Sequence, residues 1–305
     1  MIENATESGV RISLKNLLFL TDFSSASEQA LPFAVSIARR YNARVYALHV
    51  FEPGPYVCTT PEVSLAAIEA EEENAKAEMQ RVESQLTGLW HETLVERGID
   101  IYDAVAKAIK DFDIDLVIIG THGRTGAQKL LMGSVAEAVF RRSPVPVLTI
   151  GPGVQRGSHT GGLFHRVLFA TDFTAASTAA APYAVSLAYE NQARLLLLHV
   201  MRSREMKSDK DEKHRDLSVA EALHKLYGIV PVNVELRVPP EVAVEYGEPG
   251  TRIVDAAKNR GADLIVLGIR DTVGHTGAAT HLERATAHKV VAHAGCPVLT
   301  IRDKR

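Results

Sequence analysis

The residues of this chain best suited to binding an anion lie in one glycine-rich segment. Gly120, Gly123 and Gly133 follow the spacing Gly-x2-Gly-x9-Gly, and Ser134 comes directly after the third glycine. Glycine accepts positive φ angles and carries no Cβ, so a loop of this kind can fold its backbone N–H groups around phosphate oxygens. An apolar run precedes the segment and a helical pattern follows it, which would point the positive end of a helix dipole at the same anion.

The alternative interpretation of this segment is a surface loop whose glycines only make turns. The flanking strand and helix favour phosphate binding, although the spacing is neither that of a Walker A loop nor that of a Rossmann fingerprint. Within the segment, Arg124 can meet phosphate as a charged fork or remain a solvated loop charge, and His122 lies two residues before it. Ser134 is predicted to cap the following helix and to present its N–H and hydroxyl to phosphate.

Asp22 is a second candidate ligand-binding residue, because it directly follows an apolar run and Thr21. A carboxylate at the end of a strand can accept hydrogen bonds from ribose hydroxyls or from water on Mg²⁺. The alternative role is to cap the next helix, but Ser24 or Ser25 can do that instead. His49 and His199 lie within apolar runs and are expected to be buried with satisfied hydrogen bonds.

Composition narrows the class of protein. The chain has 305 residues, of which 46% are hydrophobic, which is enough for two ordinary domains with well-buried cores. Its net charge of −3 argues against nucleic-acid binding, and no apolar run approaches the ~20 residues of a membrane span. The polar start is not a secretory signal, and the only two cysteines, Cys58 and Cys296, lie in opposite halves. A disulfide framework is therefore excluded and a cytoplasmic location is predicted.

The chain contains two copies of one unit. Residues 16–50 and 166–200 are identical at eighteen of thirty-five positions without a gap, and both halves end in a similar Pro-Val-Leu-Thr-Ile motif. A glycine-rich, polar linker covers residues 151–163. The predicted domains are therefore residues 12–151 and 164–302.

Each unit alternates strands and helices, which predicts two doubly wound, mostly parallel five-stranded α/β sheets in tandem. The predicted strands of the first unit are 17–20, 44–50, 93–96, 116–119 and 145–150. Its predicted helices are 25–41, 61–86, 101–112 and 134–142, with Pro32 expected to kink the first of them or delay its start. The predictions for the second unit include strand 232–237, helix 251–259, strand 264–267, a last helix and strand 297–301. Ligands of such sheets sit at the carboxyl ends of the strands, where the winding reverses.

The Gly-x2-Gly-x9-Gly-Ser pattern and the Thr-Asp pair resemble those of the universal stress protein family, and the resemblance covers nearly the whole chain twice. It implies a Rossmann-like fold, ATP binding with Mg²⁺, and a valine, Val50 here, whose backbone pairs with the adenine edge. It also implies that the last strands of the units pair into an internal pseudo-dimer, with a homodimer as a further possibility. The ATP-binding residues predicted in this way are Thr21, Asp22, Val50, Gly120, His122, Gly123, Arg124, Gly133, Ser134 and Val135.

The second copy departs from this pattern. Gly268 is not followed by the second glycine, and Arg284-Ala285 aligns with Gly133-Ser134. We therefore expect a degenerate site in which bulkier side chains fill the cavity and ATP binds weakly or not at all. In the first copy, Gly98-Ile-Asp100 stands where the second has Gly247-Glu-Pro249, the form usual in the family.

These observations predict an ATP-binding regulatory protein of the stress response, with its nucleotide in the first unit. No general base with an orienting partner is apparent, so dedicated catalysis is not expected, and no histidine pair has the spacing of a zinc site. Two alternatives stay open: a slow ATP hydrolase, and a nucleotide-free scaffold that acts through partner contacts.

Overall fold

The computed structural model describes residues 11–52, 61–98, 100–121, 132–154, 164–202, 211–269 and 278–303. The described residues form two compact units, Leu14–Ile150 and Gly151–Arg305, and the second unit also takes in residues 11–13. The N–H of Ile12 donates a hydrogen bond to Ser186 Oγ at 2.8 Å, which attaches this short N-terminal segment to the second unit.

The two units have the same order of strands and helices. The elements of the first are β1 (Asn16–Leu20), α1 (Ser25–Tyr41), β2 (Arg44–Phe51), α2 (Pro61–Gln85), β3 (His91–Arg97), α3 (Ile101–Asp111), β4 (Leu116–Gly120), α4 (Ser134–Arg142) and β5 (Val147–Ile150). Those of the second are β6 (Arg166–Ala170), α5 (Ala175–Glu190), β7 (Arg194–Met201), α6 (Asp211–Tyr227), β8 (Glu241–Tyr246), α7 (Pro249–Asn259), β9 (Leu264–Ile269), α8 (Ala278–His293) and β10 (Val298–Arg302).

Each unit contains one parallel sheet whose strand order reverses next to its first strand. In the first unit the order is β3-β2-β1-β4-β5, with Leu17 paired to Val45 on one side and to Leu116 on the other. In the second unit the order is β8-β7-β6-β9-β10. The fold class predicted from the sequence is confirmed. The reversal opens a crevice where the carboxyl ends of β1 and β4, or of β6 and β9, lie side by side.

The central strands are buried because helices cover both faces of a parallel sheet. Leu17, Leu18 and Phe19 of β1 are at most 1% exposed, and Val167, Leu168 and Phe169 occupy the same positions in β6 with no exposure. These continuous apolar runs, rather than alternating patterns, are what a strand buried on both faces requires. They form the rigid base on which the loops at the strand ends are held.

The first helix of each unit runs uninterrupted through a proline. Helix α1 spans the predicted residues 25–41 with Pro32 inside it, and α5 contains Pro182 in the same way, so a late helix start is the wrong alternative. The N-cap of α1 is Ser24, whose side chain accepts a hydrogen bond from the N–H of Ser27. The cap therefore fixes the start of α1 directly behind the turn that contains Asp22.

The predicted strand at 232–237 is wrong. The third strand of the second unit is β8, Glu241–Tyr246, which pairs in register with β7 from Leu196 to Met201. The earlier segment alternates apolar and polar residues, but Val232 is fully exposed and the segment has no ladder partner among the described strands. Alternation is a weak signal when no neighbouring strand is available to pair. Among the described helices, none has the length and apolar character needed to cross a membrane.

We expect Gly120→Ala to destabilise the first unit, since a Cβ at this position would lie 2.5 Å from the carbonyl oxygen of Ala26. The obstacle is backbone rather than a flexible side chain, so α1 or β4 must shift, at a cost of about 1–3 kcal/mol. Urea denaturation measures this loss in the free energy of unfolding. Gly295→Ala is the control, because its nearest backbone atom would be 3.9 Å away and its stability should stay within about 0.5 kcal/mol of the parent. An unchanged urea midpoint for Gly120→Ala would contradict the packing argument.

Candidate functional site

A cavity of about 260 Å³ lies at the strand-order reversal of the first unit. Its floor comes from the ends of β1, β2 and β4, and its walls come from the first turns of α3 and α4. The volume is close to the lower end of the range for small-molecule sites. Seven of the ten residues predicted from the sequence line it, namely Thr21, Asp22, Val50, Gly120, Gly133, Ser134 and Val135. The other three, His122, Gly123 and Arg124, lie outside the described residues.

The turn after β1 is held by its own side chains. Thr21 Oγ1 accepts a hydrogen bond from the N–H of Phe23 at 3.0 Å and donates to Ser27 Oγ at 3.1 Å. Asp22 Oδ1 accepts from the N–H of Ser24 at 3.0 Å and from its hydroxyl at 2.6 Å. Ser24 is therefore the helix cap and Asp22 supports the turn. Asp22 also lines the cavity, and a carboxylate can accept several hydrogen bonds at once.

Phe23 has a left-handed backbone, with φ +61°. Its ring stacks at a tilt on His49, with 4.3 Å between ring centres, and His49 Nδ1 lies 2.8 Å from the carbonyl oxygen of Thr21. Since a carbonyl only accepts, the proton of the imidazole must be on Nδ1. The prediction that His49 is buried and satisfied is confirmed. The histidine packs against a strained residue that the sequence pattern does not predict.

The ends of the glycine-rich segment are joined directly. The N–H of Gly133 donates to the carbonyl oxygen of Thr121 at 2.7 Å, which brings the end of β4 against the start of α4. Gly133 is the N-cap of α4, with φ −60°, and no side chain caps this helix, so the prediction that Ser134 is the cap is wrong. The N–H groups of residues 134–136 belong to the first turn, where a helix has no internal acceptors for them. These residues line the cavity, so the helix offers donors and a partial positive charge to it.

Gly120 is required for a reason other than the one inferred from the sequence. The residue borders the cavity, but the contact that excludes a side chain there is the first turn of α1. Gly268 of the second unit has the same constraint, with a would-be Cβ 2.1 Å from the carbonyl oxygen of Ala176. The first glycine of the motif is thus a packing requirement in both units, whether or not a ligand binds.

Ile101 and Val105 form an apolar wall that sequence reasoning missed. They lie on the first turns of α3, which begins with Asp100 as its N-cap, accepting from the N–H of Tyr102 at 2.8 Å. In the second unit Glu248 is the N-cap and Pro249 lines the cavity. Counted from the caps, Ile101 corresponds to Pro249. The alignment of Gly98 with Gly247 holds, since each donates its N–H to the last residue of the neighbouring strand, so the first unit has one extra residue between this glycine and the cap. The signal that could have located this wall is the helix start itself, at the carboxyl edge of the sheet.

The second unit has a cavity of about 290 Å³ at the equivalent place. Thr171, Asp172 and Val200 line it as Thr21, Asp22 and Val50 line the first. The expectation that bulkier side chains fill this cavity is therefore wrong for the described residues, among which the side chain of Arg284 is not included. The difference is in the last helix, which begins at Ala278, seven residues before the position aligned with Ser134.

No group of three or more His, Cys, Asp or Glu side chains suited to a metal ion occurs in the described part of the chain. Asp22 is the carboxylate that lines the first cavity. The arrangement of the described residues thus offers an apolar floor, one carboxylate and the start of a helix, which suits binding of a small anionic organic molecule rather than a metal held by protein ligands alone.

The universal stress protein family model matches residues 13–151 and again residues 163–302. The chain belongs to the universal stress protein family. A universal stress protein of Mycolicibacterium smegmatis is 25% identical over the full length of both chains, and one of Methanocaldococcus jannaschii is 32% identical over 45% of this chain and 81% of its own. The crystal structure of a universal stress protein from Archaeoglobus fulgidus has the same fold, with a TM-score of 0.67 over 95% of this chain and 99% of that one, at 22% identity. Both halves are thus universal stress protein domains in tandem.

The start of α7, which lines the second cavity through Pro249, is held by hydrogen bonds to Glu248. Its carboxylate accepts from the N–H groups of Gly250 and Thr251, from the hydroxyl of Thr251, and from Lys289 Nζ at 2.8 Å. Partial burial works to raise the pKa of Glu248, but the hydrogen bonds from Lys289 and Thr251 outweigh it and lower the pKa to about 2. Lys289 thereby ties α8 to the start of α7.

We expect Glu248→Gln to lower the free energy of unfolding by about 1 kcal/mol at pH 7, the typical value of a helix cap, with the half-exposed ion pair adding little. The folded-state pKa lies below the unfolded one, so the contribution is complete above pH ~4.5 and is lost as pH falls towards 2. Urea denaturation of parent and variant at pH 7 and at pH 2.5 should therefore show a difference that shrinks in acid. A difference that is constant with pH would contradict the role of the carboxylate.

Proposed function

We propose that the first domain binds ATP in the cavity at its strand-order reversal, and that the protein acts as a nucleotide-dependent regulatory module of the stress response. One observation carries the proposal. Residues from the ends of β1, β2 and β4 and from the start of α4, far apart in sequence, converge on one cavity of about 260 Å³. Seven of the residues that line it are among the ten that resemblance to the family predicts, and the other three of the ten lie outside the described part of the chain.

The cavity is chemically different on the two sides of β1. Val50 lies near the end of β2 on one side, α4 follows β4 on the other, and Asp22 lies between them just after β1. The β2 side, with Ile101 and Val105 as further apolar lining, suits a flat apolar base, and Asp22 suits a ribose whose hydroxyls donate to its carboxylate. On the β4 side, the first-turn N–H groups of α4 suit phosphate oxygens, and each hydrogen bond to a charged oxygen contributes ~1.5–3 kcal/mol.

The site suits a Mg²⁺ ion that binds together with the phosphates of the nucleotide. Mg²⁺ keeps several waters and is commonly bound by one or two carboxylates together with substrate phosphates. Asp22 is the carboxylate in position to hold such an ion, through one of its waters, and the ion would neutralise part of the phosphate charge. The described residues supply no complete metal site without a nucleotide.

The arrangement favours binding over catalysis. His49 carries its proton towards the Thr21 carbonyl and stacks on Phe23, so it serves the turn instead of activating water. Asp22 holds the N–H and hydroxyl of Ser24. Nucleotide occupancy, rather than turnover, is then the property that other proteins would sense. A cytoplasmic location, usual for the family, is consistent with this role.

Gly133→Arg should weaken ATP binding at least about thirtyfold, because a long side chain would occupy the space in front of the α4 amides. Its backbone, with φ −60°, suits any residue, so the variant is expected to fold and its melting temperature to stay close to the parent's. Titration calorimetry with Mg-ATP measures the affinity, and Asp172→Ala in the second domain is the control that should keep it.

The outcomes separate the possible functions. Unchanged ATP affinity in a folded Gly133→Arg protein would contradict the placement of the phosphates. No ATP binding by the parent protein, and no nucleotide in native mass spectra, would favour a scaffold instead. Rapid ATP turnover that is lost in Asp22→Ala would show an enzyme and contradict the regulatory assignment.

A further inference from the structure

The second cavity keeps the nucleoside end of the first almost unchanged. Asp172 Oδ1 accepts from the N–H of Thr174 at 3.0 Å and from its hydroxyl at 2.7 Å, as Asp22 does from Ser24. Phe173 has φ +61° and packs on His199, whose Nδ1 lies 2.8 Å from the Thr171 carbonyl oxygen. A positive φ at a non-glycine residue is strained, and both domains retain it.

The apolar surfaces of the second cavity are also kept. Ile253 stands in the place of Val105, and Pro249 in that of Ile101. With Val200 at the end of β7, the floor and side wall have the same character as in the first domain, and the volume of about 290 Å³ is slightly larger. A flat organic ring can therefore be accommodated here as in the first cavity.

Among the described residues, the second cavity lacks the helix start that faces the first cavity. Because α8 begins at Ala278, the residues aligned with 134–136 are its eighth to tenth, and their N–H groups point to carbonyl oxygens four residues earlier in the same helix. Thr286 and Ala287 line the cavity from this helix, so what faces it there is a continuous helix side instead of a helix start. A phosphate chain in this cavity would find no first-turn amides among residues 285–287.

The second cavity has a positively charged side chain, Arg202, on the side of β7. Arg202 lines the second cavity just beyond the end of β7, two residues after Val200. The first domain has Glu52 at the equivalent position. Arg202 is thus placed on the side of the base and away from α8, where its N–H groups can donate to ring nitrogen or carbonyl acceptors of a heterocycle.

We infer that the second cavity is a separate binding site for a nucleoside without a phosphate chain. The inference rests on the proposed function for the nucleoside end, since it assigns to Asp172 and Val200 the roles given there to Asp22 and Val50. The two domains would then report on two ligands: ATP in the first, and an unphosphorylated nucleoside in the second.

The test uses the matched pair Asp22→Ala and Asp172→Ala, which remove the same turn interaction from either domain. Calorimetric titration of the full-length Asp22→Ala protein with adenosine should show binding, with affinity at least about tenfold greater than for Mg-ATP. The double variant Asp22→Ala/Asp172→Ala should lose that adenosine affinity at least tenfold. Asp172→Ala alone should keep the ATP affinity of the parent.

Absence of adenosine binding by Asp22→Ala, ATP binding as tight as adenosine binding, or adenosine binding that survives in the double variant would each overturn the inference. Failure of the proposed function is a different result, because it shows as absence of ATP binding by the parent protein. Thermal melting verifies folding of each variant. If alanine loosens the turn, Asp22→Asn and Asp172→Asn keep an oxygen acceptor for Ser24 and Thr174 and replace the alanine variants.

Discussion

Each domain depends on the close approach between the first turn of its first helix and the end of its fourth strand. Only a glycine fits there, because a Cβ at Gly120 or Gly268 would overlap the carbonyl oxygen of Ala26 or Ala176. This contact brings the start of α1, and with it the turn that carries Asp22, beside the end of β4. The crevice at the strand-order reversal thus becomes a cavity with fixed walls.

The turn after the first strand is built to the same pattern in both domains. The helix-capping hydroxyl donates to the aspartate, and the threonine hydroxyl donates to a serine in the first turn of the helix. A histidine from the neighbouring strand binds the threonine carbonyl. A phenylalanine with positive φ completes the turn and packs on that histidine. These hydrogen bonds offset the conformational strain of the phenylalanine. They also hold the aspartate carboxylate in one position in the absence of a ligand.

The last helix is where the domains differ most clearly. Helix α4 starts at the cavity, whereas α8 starts seven residues earlier and passes the cavity with its side. The same stretch of backbone therefore has free N–H groups in one domain and internally bonded ones in the other. Two domains of one fold can in this way keep the same turn and cavity floor and differ in the donors they present to the cavity, without any change in the sheet.

The repeat, the alternation of strands and helices, and seven of the fifteen residues that line the first cavity were predictable because each depends on local pattern. Helix α1 was predicted to the residue from its serine cap and apolar face. Strand β8 was misplaced, because residues 232–237 alternate as well as residues 241–246 and only pairing with β7 distinguishes them. The sequence predicts Ser134 as the cap of α4, whereas Gly133 occupies that position and no side chain caps the helix.

The sequence by itself determined the family, the two-domain organisation and the Thr-Asp and glycine motifs, since these are properties of neighbouring residues. Only the tertiary structure shows that Ile101 and Val105 form one wall of the first cavity. It also shows that Gly120 must be glycine because of its contact with α1, and that the described residues leave the second cavity open. The reason is physical. The spacing of residue types along the chain determines local backbone conformation. The distance between helices and strands, and hence the shape of a cavity, depends on how closely their side chains allow them to pack.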